Sequence, residues 1–73
     1  MDMLVLSFGD SYDRYSVGVA TSLDSARAMA RDYLARHHFG GVLLRHEYFS
    51  VARFAVDRVY DLDGGEDAVL DLD

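Results

Sequence analysis

Thr21-Ser-Leu-Asp-Ser-Ala-Arg-Ala-Met-Ala-Arg-Asp-Tyr-Leu-Ala-Arg-His37 is the stretch on which the fold turns. Leu23, Ala26, Ala30, Tyr33, Leu34 and His37 recur at helical spacing and make one apolar stripe. Arg27, Arg31, Asp32 and Arg36 fall on the outward side, with Asp32 and Arg36 one turn apart as an ion pair. Thr21 reads as the N-cap, and Asp24 sits where it can reach back to the cap and meet the positive end of the dipole. Gly40-Gly41 supplies a left-handed stop.

Strand patterns lie on both sides of this helix. Met3 to Phe8 is apolar on both faces, which suits a central strand. Gly9 to Asp13 has turn chemistry, and Arg14 to Ala20 alternates, so the first two strands read as a hairpin. Val42 to Tyr48 reads as a third strand and Val51 to Leu62 as a fourth, with Ala52, Phe54, Val56, Tyr60 and Leu62 on one face. Asp67 to Asp73 reads as a fifth. The predicted fold is therefore α+β, in the order β-β-α-β-β-β. It is one domain spanning residues 1–73, an antiparallel or mixed sheet of about five strands with one helix packed on one face. The expected core takes Leu23, Ala26, Ala30, Tyr33 and Leu34 from the helix. From the sheet it takes Leu4, Leu6, Val17, Val19, Leu43, Phe54, Val56 and Tyr60.

Seventy-three residues bury only about 60% of their unfolded surface, and the chain has no cysteine to staple it. Hydrophobic residues at 51% argue against disorder, and self-association as a homodimer would add stability. No apolar run approaches the roughly 18 residues of a membrane span, and Met1 to Phe8 lacks the basic start of a signal peptide. The expectation is a soluble, cytoplasmic protein.

Charge is distributed unevenly. Asp57 to Asp73 holds seven carboxylates (Asp57, Asp61, Asp63, Glu66, Asp67, Asp71, Asp73) against Arg58, which accounts for the whole net charge of -6. Residues 1–56 balance six acids with six arginines. A three-residue loop, Gly64-Gly65-Glu66, would set Leu62 opposite Ala68 and Tyr60 opposite Leu70. That register would gather six aspartates onto one hairpin face, with Asp63 opposite Asp67 and Asp57 opposite Asp73. Opposed like charges destabilise a sheet, so the cluster points to a role in binding a basic partner. Carboxylates on one strand face recur about every 6.8 Å, a spacing on the scale of nucleic-acid phosphates.

Other chemistry finds little support. Asp61 to Asp67 lacks calcium-loop spacing, because a glycine at the sixth loop position would leave Val59 or Tyr60 at the first. His37 and His38 are adjacent and His46 and Glu47 alternate, so a zinc set would not converge. No nucleophile elbow or phosphate loop is present. The Arg27, Arg31 and Arg36 ridge reads as a solvated helix face, and the net charge disfavours direct nucleic-acid binding. The expectation is no enzyme, no catalytic residue, no metal and no cofactor.

The element order and two stretches carry a resemblance. Val19-Ala-Thr-Ser-Leu-Asp-Ser-Ala-Arg-Ala-Met-Ala30 and Phe39-Gly-Gly-Val-Leu-Leu-Arg-His-Glu47 are similar in pattern to parts of small phage-encoded anti-CRISPR proteins. The resemblance implies a non-enzymatic inhibitor acting in the host bacterial cytoplasm. It would bind a basic DNA-binding surface on a Cas protein of a type I CRISPR surveillance complex and keep target DNA out. The acidic residues named above would then be the partner-binding set. The alternative expectation is a small structural or regulatory dimerisation module whose acids serve only solubility.

Overall fold

The computed structural model describes residues 2–59 and 66–72. Within them β1 is Asp2–Gly9, β2 Arg14–Ala20, α1 Leu23–His37, β3 Tyr48–Ala55 and β4 Glu66–Val69. The strands form one antiparallel sheet in the order β2-β1-β3-β4, with α1 on one face. This is a small α+β fold with four strands, not the five expected.

β1 takes the central place its two apolar faces suggested. Leu4, Leu6 and Phe8 point to the helix and are buried, joined in register by Val51 and Phe49 of β3. The β1–β2 turn is closed by Asp10, whose Oδ1 accepts the N–H groups of Tyr12 at 2.8 Å and Asp13 at 2.7 Å. Gly9 precedes it at φ 148, and a Cβ there would lie 1.9 Å from the Asp13 carbonyl oxygen. Only glycine fits that approach. β2 carries a bulge opposite Leu6 and Ser7, which leaves Gly18 facing the Met29 side chain of the helix.

The helix starts one residue later than expected. Ser22, not Thr21, is the N-cap, and its Oγ accepts the Ser25 N–H at 3.1 Å. Asp24 pairs with Arg27 at 3.1 Å, and Asp32 with Arg36 at 2.9 Å. Ala26, Ala30 and Leu34 are the buried stripe. The two alanines let the helix backbone come close to the sheet. Leu23 is 40% exposed and His37 is exposed, so the stripe is narrower than its periodicity implied. The helix ends at His37, and the His38 N–H caps the Leu34 carbonyl at 3.2 Å.

Val42 to Tyr48 is not the expected third strand. A single 3-10 turn, Phe39–Gly41, with Gly40 at φ 79 and Gly41 at φ 68, sends the chain into an irregular connection. Leu44–Glu47 closes as a turn, with the Glu47 N–H on the Leu44 carbonyl at 3.0 Å. The 3-10 turn and the Leu44–Glu47 turn hold this segment out of an extended conformation, and it joins neither outer edge of the sheet. The strand begins only at Tyr48, and Phe49, which falls between the two expected strands, is fully buried. That start also reverses the faces of β3. Val51 points to the core, while Phe54 is half-buried on the opposite face. Val19 and Val56 are 54% and 47% exposed and do not belong to the core; Tyr60 lies outside the described residues. Phe8, Ala20, Phe49, Val51 and Leu70 complete it, with Val17, Met29, Tyr33, Leu43 and Leu72 packed around them.

The sheet face away from α1 is fastened by Arg14. Its Nη1 donates to the Gly9 carbonyl at 2.9 Å and the Tyr48 carbonyl at 3.1 Å. Its Nη2 donates to the Ser7 carbonyl at 3.2 Å and to Ser50 Oγ at 2.7 Å. The guanidinium lies 3.8 Å from the centre of the Tyr48 ring. One side chain of β2 thereby reaches β1 and β3, and it satisfies the buried Ser50 hydroxyl.

Replacing Arg14 by Ala removes bonds from a charged donor and leaves Ser50 short of a partner. The expected loss is about 2–3 kcal/mol in urea unfolding. Arg14→Lys recovers less than half, because a point charge cannot span the fork of acceptors. Gly9→Ala is expected to cost at least about 2 kcal/mol in the same measurement.

Candidate protein-binding surface

In the acidic C-terminal segment, β4 pairs with the middle of β3: Ser50 with Val69, Val51 with Ala68, Ala52 with Asp67 and Arg53 with Glu66. The expected partners Leu62 and Asp63 lie outside the described residues, and Asp67 stands opposite Ala52. The cause lies at Asp57. Its backbone is left-handed, φ 64, in a turn that ends β3 two residues earlier. Aspartate tolerates that conformation better than most residues, so an alternating pattern continues past a point where the strand does not. Arg58 and Val59 follow outside any strand, with Val59 94% exposed. The turn at Asp57 and the start of β4 both lie toward the end of the sheet where β1 begins, and Arg53 there holds Asp2 at 3.1 Å.

Four of the seven residues of the proposed partner-binding set can be placed on this frame. Asp57 is exposed in its turn. The backbones of Glu66 and Asp67 belong to β4, and their side chains lie outside the described part. Asp71 is exposed just past β4. Asp61, Asp63 and Asp73 lie outside the described residues. Of the six aspartates expected on one face, Asp57 and Asp71 have described side chains, one in the turn after β3 and the other just past β4.

The end of the segment is anchored by its backbone. Leu70 is buried, and its N–H donates to the Phe49 carbonyl at 2.9 Å. Arg27 Nε donates to the Asp71 carbonyl at 2.9 Å, and Arg31 Nη2 to the Leu72 carbonyl. The outward arginines of the helix, expected to be merely solvated, hold this segment down. An open groove of about 260 Å³ remains beside it, with Leu4, Leu23, Val51 and Leu70 in its lining. Arg27 and Arg53 flank the groove, each already paired with a carboxylate of its own.

At the other pole a polar pair forms that alternation did not suggest. His38 Nε2 lies 2.7 Å from Glu47 Oε1, and both side chains are mostly buried. The same oxygen accepts the Leu44 N–H at 2.9 Å. The His38 ring meets the Phe8 ring edge-on at 5.7 Å, next to Tyr33 and Phe49. Sequence alternation failed here because His46 and Glu47 sit in a turn, not on a strand. The Leu44 N–H holds the Glu47 carboxyl below its ordinary range, with His38 and His46 adding to the effect against desolvation. Hydrogen bonding to Tyr15 raises the Tyr33 phenol, helped by burial. Among the described residues no three His, Asp or Glu side chains converge as a metal set. Nor is any helix among them long and apolar enough to cross a membrane.

The depressed value of Glu47 means that its negative charge favours the folded state. That contribution is complete above the ordinary carboxylate range and is lost as pH falls through the lowered folded value. Urea unfolding should therefore show Glu47→Gln less stable than the natural chain at about pH 7. The gap should narrow as pH falls through the lowered carboxyl value, where the Glu47 side chain becomes neutral like the glutamine.

No protein family model, curated protein or solved structure matches this chain.

Proposed function

We propose that the chain is a non-enzymatic protein inhibitor whose acidic C-terminal segment competes with nucleic acid for a basic surface. The observation that carries this reading is the location of charge. All six units of net negative charge arise between Asp57 and Asp73, while the rest of the chain is neutral. Backbone anchoring of Leu70, Asp71 and Leu72 supports it, because the end of the segment is held to the domain without using the Asp71 carboxylate as the donor's target. A concentrated negative field of this kind draws in an arginine- and lysine-lined partner and speeds the encounter.

The partner class follows from the resemblance to anti-CRISPR inhibitors: a DNA-binding surface of a type I CRISPR surveillance complex. In this reading Asp57, Asp61, Asp63, Glu66, Asp67, Asp71 and Asp73 occupy the path of the target DNA backbone from the pole and edge of the sheet. Two carboxylates on neighbouring positions of an edge strand offer oxygen atoms without the reach of a long side chain. Proximity to the partner's cations therefore depends on how β4 is held.

The test is target-DNA binding by a purified type I complex, read by gel shift with increasing amounts of this chain. Inhibition that weakens steeply as salt rises is expected. The Asp61→Asn, Asp63→Asn, Asp67→Asn triple variant should lose the inhibition while remaining folded and no less stable. Equal inhibition by the triple variant would rule out a polyanion decoy.

A further inference from the structure

The connection from α1 to β3 joins no strand of the sheet. Its backbone closes on itself in two short turns, with the Gly41 N–H on the His38 carbonyl at 3.1 Å and the Glu47 N–H on the Leu44 carbonyl at 3.0 Å. From Gly40 to His46 every residue except Leu43 is exposed. Few inward side chains and no ladder make a segment of low local stability. One carboxylate spans it. Glu47 Oε1 lies 2.7 Å from His38 Nε2 and accepts the Leu44 N–H at 2.9 Å, so the end of the connection grips its first residue and its middle. The His38 and Glu47 side chains are 12% and 17% exposed. Beneath them the Phe8 ring meets His38 at 5.7 Å, Tyr33 at 5.1 Å and Phe49 at 4.9 Å.

We propose that the Glu47–His38 pair is a proton-operated clasp. Ionised Glu47 keeps His38 and Leu43 seated on the aromatic cluster, and its protonation lets residues 38–47 open locally while the helix and sheet stay folded. The geometry gives the carboxylate two tasks at once, and both need a strong acceptor. A protonated carboxyl has lost its charge and has turned part of its acceptor capacity into a donor, so the Leu44 and His38 contacts weaken together. A mostly buried imidazolium also loses the negative charge that faced it at 2.7 Å and keeps its own cost of desolvation. Opening returns the ring to water and uncovers Phe8, Tyr33 and Phe49 at the pole away from the acidic segment.

The groups around the pair favour the same sense of response. In the connection itself, His46 adds to the pull that keeps Glu47 ionised, after the Leu44 N–H and His38, while Arg45 is exposed. From the β1–β2 turn, Asp10 interacts with His46, and its own carboxyl is held low chiefly by the Asp13 N–H. α1 brings Tyr33 and His37, their rings 5.2 Å apart, and β2 brings Tyr15, hydrogen-bonded to Tyr33. The Tyr33 phenol is raised and carries no charge in acid. On β3, Tyr48 lies under Arg14 on the other face of the sheet. Closure is therefore complete above the ordinary carboxylate range and is lost as pH falls through the lowered value of Glu47.

Native-state hydrogen exchange, read by NMR as pH is lowered from about 7 to about 2.5, tests the clasp. The Leu44 amide is followed against the β1 amides from Leu4 to Phe8, each corrected for its intrinsic rate. Leu44 is expected to lose protection by at least about fivefold, at a higher pH than the β1 amides lose theirs. Glu47→Gln should already exchange at least about fivefold faster at Leu44 at about pH 7, with no further step on acidification. Asp10→Asn is the control: it neutralises the carboxylate of the neighbouring turn and should leave the Leu44 step in place. Constant protection of Leu44 across the range overturns the inference. So does loss in step with β1, which is global unfolding, or natural protection in Glu47→Gln at about pH 7. Removal of the step by Asp10→Asn overturns it as well, because the sensing group then lies in the other turn.

Discussion

A single helix of this length cannot cover a four-stranded sheet, and that shortage shapes the molecule. Fifteen residues of α-helix make a rod about 22 Å long and about 10 Å wide, whereas four strands span roughly 19 Å. Ala26 and Ala30 seat α1 closely over β1 and β2. The half of the sheet built from β3 and β4 then needs other cover. Phe49 fills part of it, and the chain end supplies the rest: Leu70 plugs the core while Arg27 and Arg31 clasp the carbonyls that follow. The open groove between Leu23 and Leu70 is what this improvised cover leaves unfilled.

On the opposite face the described residues are held together differently at the two ends of the sheet. Toward the β1–β2 turn the device is polar. Arg14 ties three strands by bonding carbonyls and a serine hydroxyl, so a buried polar patch is fully satisfied. Toward the beginning of β1 the face is apolar, with Met3 and Phe54 paired and Val5 between Val19 and Ala52.

Much of the first half was legible because local pattern and tertiary demand agree there. An apolar run on both faces read as a central strand, and it is one. The Asp10 turn and the alternation after it read as a hairpin, and the Ala-rich stripe read as the covering helix. The second half was less legible for two physical reasons. Periodicity does not report a turn, so Val42 to Tyr48 had the composition of a strand while the 3-10 turn and the Leu44–Glu47 turn keep it out of the sheet. Alternation also continues through a break in the backbone. The left-handed turn at Asp57 is set by one residue's φ, and Asp67 pairs with Ala52 of β3. Phe49 and Val51 were misplaced with it, because the true strand starts at Tyr48. The His38–Glu47 contact was invisible for the same reason: it depends on a turn, not on a face.

The placement of the arginines explains why the acidic end stays a strong source of field. The body of the chain has enough cations to offset much of that charge, yet it uses them locally. Arg36 and Arg53 pair with Asp32 and Asp2, and Arg14 bonds only neutral acceptors. Arg27 and Arg31 come closest to the acidic segment and donate to its main-chain carbonyls. A guanidinium bonded to a carbonyl fixes position more than it cancels a neighbouring carboxylate, because its hydrogen-bonding directions are already committed. The segment is therefore pinned at its end by cations that hold its main-chain carbonyls. An arrangement selected for stability alone would turn those guanidiniums toward the carboxylates.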